Sequence, residues 1–124
     1  MKVFSKQGAW PTKVNFVDER NVMLGYDLAQ DCCEDADWFI SDRVESEVCE
    51  RADDNPDLEG FVFDREFFRL IESEGEFEGG AMVVFRITNG EKEKHIHLYN
   101  VHNGYYGHGF EFKIDGETKY EGVI

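Results

Sequence analysis

The chain has 124 residues, 41% of them hydrophobic, with 11 Phe and a formal net charge of −14. That length fits one domain, residues 1–124, able to fill a core without metal or disulfide staples. The charge argues against direct nucleic-acid binding, which needs clustered Lys and Arg, and no apolar run approaches the ~20 residues of a membrane span.

The N-terminus, Met1 to Lys6, runs into Gly, Trp and Pro rather than an apolar stretch, so no secretory signal is expected. Further along, Val14 and Phe16 alternate with Lys13 and Asn15. The polar stretch Asp18-Glu19-Arg20-Asn21 turns the chain, and Val22, Leu24 and Tyr26 make the next period-2 face. Together they predict a hairpin. Between Asp27 and Glu59 lie 13 acids and 2 bases, so the negative charge is concentrated there. Within that region Trp38-Phe39-Ile40 predicts a short buried strand. Ser41 could cap a helix from Asp42 to about Ala52, with Val44, Val48 and Ala52 on one side; the alternation Val44, Ser46, Val48 fits a strand equally. From Phe61 to Ile71 dense aromatics predict a strand with a bend near Asp64.

The last third is the clearest. Ala81 to Thr88 is rich in strand formers, and Asn89-Gly90 is a turn dipeptide because both residues tolerate positive φ. The next strand sets Ile96 and Leu98 on one face and His95, His97 and Tyr99 on the other. Phe110, Phe112 and Ile114 alternate with Glu111, Lys113 and Asp115, and Asp115-Gly116 turns into Thr118 to Val123. These four strands predict a meander. The fold class is mainly β, with α+β as the alternative: an antiparallel meander, small barrel or sandwich with one or two short helices.

Two constellations could carry chemistry. The first spans Gly25 to Trp38 and contains Asp27, Asp31, Cys32, Cys33 and Glu34. Its acids could hold a hard cation, but they lack the twelve-residue calcium-loop spacing. Adjacent cysteines make a poor zinc pair, because neighbouring side chains on a strand point to opposite faces. With three Cys in all, an odd count, unlinked thiols in a cytoplasmic protein are expected for Cys32, Cys33 and Cys49. The second constellation spans His95 to Phe110 and holds all four His of the chain. His95 and His97 share a strand face and could chelate a metal; the bland reading is that exposed strand histidines do nothing. The loop after them carries His102, Asn103, Tyr105, Tyr106 and His108 among three glycines, and loops on a rigid sheet often carry function. No Gly-rich phosphate loop, nucleophile elbow or dinucleotide fingerprint is present. No catalytic residue, metal ligand or cofactor is assigned.

The same two segments carry a resemblance. Asp31-Cys32-Cys33-Glu34 and His102-Asn103-Gly104-Tyr105-Tyr106 resemble the D-C-C-E and H-N-G-Y-Y elements of an uncharacterised family of small bacterial and phage domains. Leu58-Glu59-Gly60 and Val84-Phe85-Arg86 also fit, and the likeness runs from about Val14 onward. The family has no assigned activity, so the resemblance implies a shared domain and no mechanism, and makes the two motifs the best candidates for a common site.

Three functions are open to this sequence. The favoured one is a small acidic cytoplasmic binding domain without catalysis, with a basic protein or a second copy of the chain as partner. The second is a small hydrolase or metal-dependent enzyme using His97, His102 or His108 with acids near Asp31. The third is an acidic nucleic-acid mimic that blocks a DNA-binding protein. The loop His102 to His108 is expected to pack beside Asp27 to Glu34, where imidazoles and phenols would meet carboxylates; a cleft enclosing both motifs would favour the enzyme, and separate burial of each the binding domain.

Overall fold

The structure, a computed structural model, describes residues 1–5, 13–28, 34–44, 58–72, 81–102 and 108–124, and of residues 5, 34, 35, 72, 101 and 102 the backbone alone. Two antiparallel sheets face each other. Sheet A is ordered β1 (Lys2–Ser5), β2 (Lys13–Val17), β3 (Val22–Asp27), β9 (Gly109–Ile114), β10 (Glu117–Val123). Sheet B is ordered β4 (Glu34–Ser41), β8 (Glu93–His102), β7 (Ala81–Thr88), β5 (Val62–Phe63), with β6 (Arg69–Glu72) also paired to β7. No helix occurs among the described residues, and so none there is long and apolar enough to cross a membrane. Most of the candidate helix from Asp42 to Ala52 lies outside them; residues 42–44 are bends, where the Ser41 hydroxyl accepts the Arg43 N–H at 3.1 Å.

The period-2 faces build the core. Val14 and Phe16 of β2, Leu24 and Tyr26 of β3, and Phe110 and Phe112 of β9 point inward from sheet A. Ile40, Phe63, Val83, Phe85, Ile87, Ile96 and Leu98 meet them from sheet B. Aromatic rings lock across the interface: Phe85 stacks on Phe112 at 4.9 Å, and Phe16 meets Trp38 edge-on at 5.0 Å. Off-face and edge-on ring pairs add to their burial because the electron-rich face seeks a positive edge. Phe68, between β5 and β6, stacks on Tyr120 at 4.6 Å and joins one flank of the two sheets.

The turns show how local chemistry sets register. At Asp115-Gly116 both residues have positive φ, 53° and 81°, giving the two-residue turn whose twist matches the flanking strands. At Asn89-Gly90 only Gly90 has positive φ. Asn89 acts instead through its side chain, whose Oδ1 accepts the N–H groups of Glu91 and Lys92, closing a four-residue loop between Thr88 and Glu93. The β2–β3 connection is a four-residue loop, Asp18 to Asn21, ending in Asn21 at φ 61°. Asp18, at its start, is buried. Its Oδ1 accepts the N–H groups of Arg20 and Val22, and its Oδ2 accepts that of Phe63 in the facing sheet at 2.9 Å.

Two expectations need correction. The last four strands are not a meander: β7–β8 is a hairpin of sheet B, β9–β10 a hairpin of sheet A, and the chain crosses between sheets after His102. Both edges of β8 are occupied, by β4 and β7, so β9 pairs with β3. Alternation reports which face of a strand is buried and is silent about its neighbour. The second correction concerns the outer face of sheet B. Phe39, Met82, Val84 and Tyr99 form a second buried cluster there, and His95 and His97 are buried with it rather than exposed. β7 is apolar on both faces because both faces of its sheet are covered. The bend near Asp64 is present: β5 and β6 run along the same edge of β7, separated by a turn in which Asp64 Oδ1 accepts the Glu66 N–H.

Candidate functional site

The site is built where β3, β8 and β9 end at one corner of the sandwich. β4 and β8 pair antiparallel, and the register sets Glu34 opposite His102. On the other side of the loop, His108 is almost fully buried, and its Nδ1–H donates to the Asp27 carbonyl at 2.7 Å. A carbonyl only accepts, so this bond fixes the ring tautomer with the proton on Nδ1. The His108 N–H donates to the Ile124 main-chain oxygen at 2.7 Å, and the Ile124 N–H returns a bond to the His108 carbonyl at 2.9 Å. Asn100, fully buried on β8, donates from Nδ2 to that same Ile124 oxygen. Tyr26 donates its hydroxyl to the Tyr99 carbonyl across the core. The described ends of the acidic segment and of the histidine loop therefore adjoin. Asp31, Cys32, Cys33, Asn103, Tyr105 and Tyr106 lie outside the described residues, as do the side chains of Glu34 and His102. Cys49 is outside them too.

His97 lies elsewhere, in the outer cluster of sheet B. It is fully buried, stacked flat on Phe39 at 4.3 Å, with Nε2–H donating to the Arg43 carbonyl at 3.1 Å and Nδ1 against the Met82 sulfur. Burial pushes its pKa down to about 4, outweighing the Arg43 carbonyl, which favours the charged ring. His95 is also buried; burial and the Arg86 guanidinium lower its pKa. The Arg86 Nε–H donates to its Nε2 at 3.2 Å, while the guanidinium lies over the Phe67 ring at 4.0 Å. Both rings are packing elements of an aromatic cluster. Among the described residues no group of three His, Cys, Asp or Glu side chains is placed to hold a metal ion.

Sequence reasoning missed the open surface next to the corner. On the outer face of sheet A, a groove of about 830 Å³ crosses β2, β3, β9 and β10. Gly25 and Gly109 line it, with Asp27, Glu111 and Glu121 as its acids and Lys13 as its base. Glycines inside strand patterns were the available signal, since they mark a close approach to the backbone. Asp27 belongs to both places: its carbonyl holds His108 and its side chain lines the groove. Comparison of the chain with protein-family models, with curated proteins and with solved structures returns no match.

Proposed function

We propose that this protein is an interaction domain without catalytic activity, acting in the cytoplasm and recognising a basic partner protein through the outer face of sheet A. The observation that carries this reading is the groove beside the Asp27–His108 corner, because it is open, sizeable and lined by three acids against one base. Its volume lies within the range of ligand sites, about 300–1,000 Å³. The histidines whose side chains are described support binding over chemistry. His95 and His97 are engaged by packing, and His108 is spent on a main-chain carbonyl. A general base must instead reach a substrate proton. Membership in the family bearing the D-C-C-E and H-N-G-Y-Y elements is part of the same proposal, with the two motifs as the flank of the binding face.

Site-specific photo-crosslinking in the native host tests it. A photoreactive residue at Val123, exposed on the groove rim, should capture a discrete basic protein. The same residue at Leu70, exposed on sheet B, should not. Equal capture at both positions, or none at Val123, refutes the reading.

A further inference from the structure

We infer that the groove holds an extended arginine- or lysine-bearing segment of the partner, its cationic side chain lying over Gly109 between Asp27 and Glu111. This deepens the interaction-domain reading and rests on it.

The argument begins with register. In β3 the residues facing outward are Gly25 and Asp27; in β9 they are Gly109 and Glu111, since Leu24, Tyr26, Phe110 and Phe112 point into the core. The strands are antiparallel, with Gly25 beside Glu111 and Tyr26 beside Phe110. The four outward positions thus form a square with glycines on one diagonal and carboxylates on the other. The Asn15 and Lys13 side chains cover Gly25, so the open corner of the square, the hollow in the sheet surface, is Gly109, with Asp27 and Glu111 at the two corners next to it.

The glycines have different reasons to be there. At Gly25 a Cβ would lie 2.9 Å from Asn15 Oδ1 and 3.3 Å from Lys13 Cε, so its neighbours on β2 account for it. At Gly122 a Cβ would strike the Phe110 ring at 3.1 Å. At Gly109 neither reason applies. Its φ is outside the left-handed region, and among the described residues a Cβ would meet nothing nearer than the Gly122 oxygen at 3.9 Å, an ordinary contact. The fold accepts a side chain here, and a strand glycine costs roughly 0.5–1 kcal/mol against alanine. What the glycine preserves is the hollow itself.

Charge names the occupant. Asp27, Glu111 and Glu121 outnumber Lys13 in the lining, and although Lys113 holds Glu111 at 2.6 Å the balance stays negative. The whole chain carries −14. A guanidinium presents donors in a planar fork that suits carboxylates on two sides, and its methylene stem covers apolar surface. Val123, the most exposed large apolar side chain among those described, supplies that surface at the rim.

The test uses Gly109→Val, which fills the hollow, suits a strand and leaves the net charge unchanged. The probe is a fluorescein-labelled peptide of alternating arginine and glycine, read by fluorescence anisotropy at about 0.15 M salt. Wild type should bind it, and Gly109→Val should bind about ten-fold or more weakly at an unchanged or higher melting temperature. Equal affinity of the two proteins overturns the proposal, since the peptide is then held by diffuse acidity. Absence of binding by wild type overturns it too, while capture at Val123 would keep the broader reading. Spermidine competing as well as the peptide, or a wild-type dimer that Gly109→Val abolishes, assigns the groove to a small polycation or a second copy and overturns the extended segment. If Gly109→Val unfolds, Gly109→Ala, whose Cβ has clear space, carries the same comparison.

Discussion

Lowering the pH from 7.5 to 4 should destabilise this protein through His97 by an amount that a single substitution removes. In the folded chain the ring is sealed between Phe39 and the Arg43 carbonyl, and its pKa is about 4 against an ordinary 6.5. The unfolded chain therefore binds a proton near pH 6.5 that the folded chain resists until about pH 4. Stability from this group is complete above pH 6.5 and falls steadily as pH drops through that window. It is fully lost below about pH 4. A difference of 2.5 pKa units corresponds to about 3 kcal/mol at ~1.4 kcal/mol per unit. His95, lowered in the same direction, adds to the slope. Carboxylates titrate across the lower part of the same range, so the comparison must be internal. In His97→Gln the amide can still donate to Arg43 but does not titrate. Urea unfolding of both proteins at several pH values gives the stability gap between them, which should shift by about 3 kcal/mol between pH 7 and pH 4 in favour of the variant. A gap that is constant over that interval would show that His97 is not buried neutral, and the outer cluster of sheet B would have been misread.

Other outcomes are expected from the turns. Asp18→Ala strands the buried N–H groups of Val22 and Phe63, and at about 1.5–3 kcal/mol for each bond to a charged group it should cost about 3–6 kcal/mol in denaturant unfolding; a loss under about 1 kcal/mol would show that water replaces the carboxylate. Gly116→Ala places a side chain at φ 81° and should lower stability by about 1–2 kcal/mol, whereas Gly109→Ala, free of that constraint, should be neutral or stabilising. Matching thermal shifts for the two alanine variants would contradict the account given for Gly109.

Where local chemistry decides structure, the sequence is readable. The β2–β3 hairpin, the strand over 81–88 and the Asp115-Gly116 turn all follow from alternation and from residues that accept positive φ. β1 gave no such signal, because its four residues carry the exposed Val3 and Phe4 and gain order only by pairing with β2. The crossing from β8 to β9 is a long-range choice that no window of sequence contains. The histidine face was misjudged although the clue was present: the run Met82-Val83-Val84-Phe85 is apolar at every position, which requires burial on both sides of the sheet. Asp18 looked like turn polarity, since nothing local reveals that Phe63 arrives from the other sheet. For the candidate site, the described ends of the two motif spans adjoin, Glu34 with His102 and Asp27 with His108, while the motifs themselves lie outside the described residues. Lys13, Glu111 and Glu121 escaped notice because a groove belongs to register across four strands, while a motif belongs to one.

On the proposed reading, the acidity and the groove would act on a partner at different ranges, and this separates their contributions. The Debye length is about 8 Å at physiological salt, so charges spread along the chain act mainly on encounter and lose force as salt rises. They attract any basic protein and choose none. The hollow over Gly109 would act only at contact, where an arginine side chain either fits between Asp27 and Glu111 or does not. Selectivity would therefore reside in dissociation, and steering in association. Filling the hollow at Gly109 should shorten the lifetime of a complex while leaving its rate of formation, and the salt dependence of that rate, close to those of the native chain. An acidic chain without such a hollow would show the reverse pattern, with affinity following salt alone and no surface substitution of constant charge able to alter it.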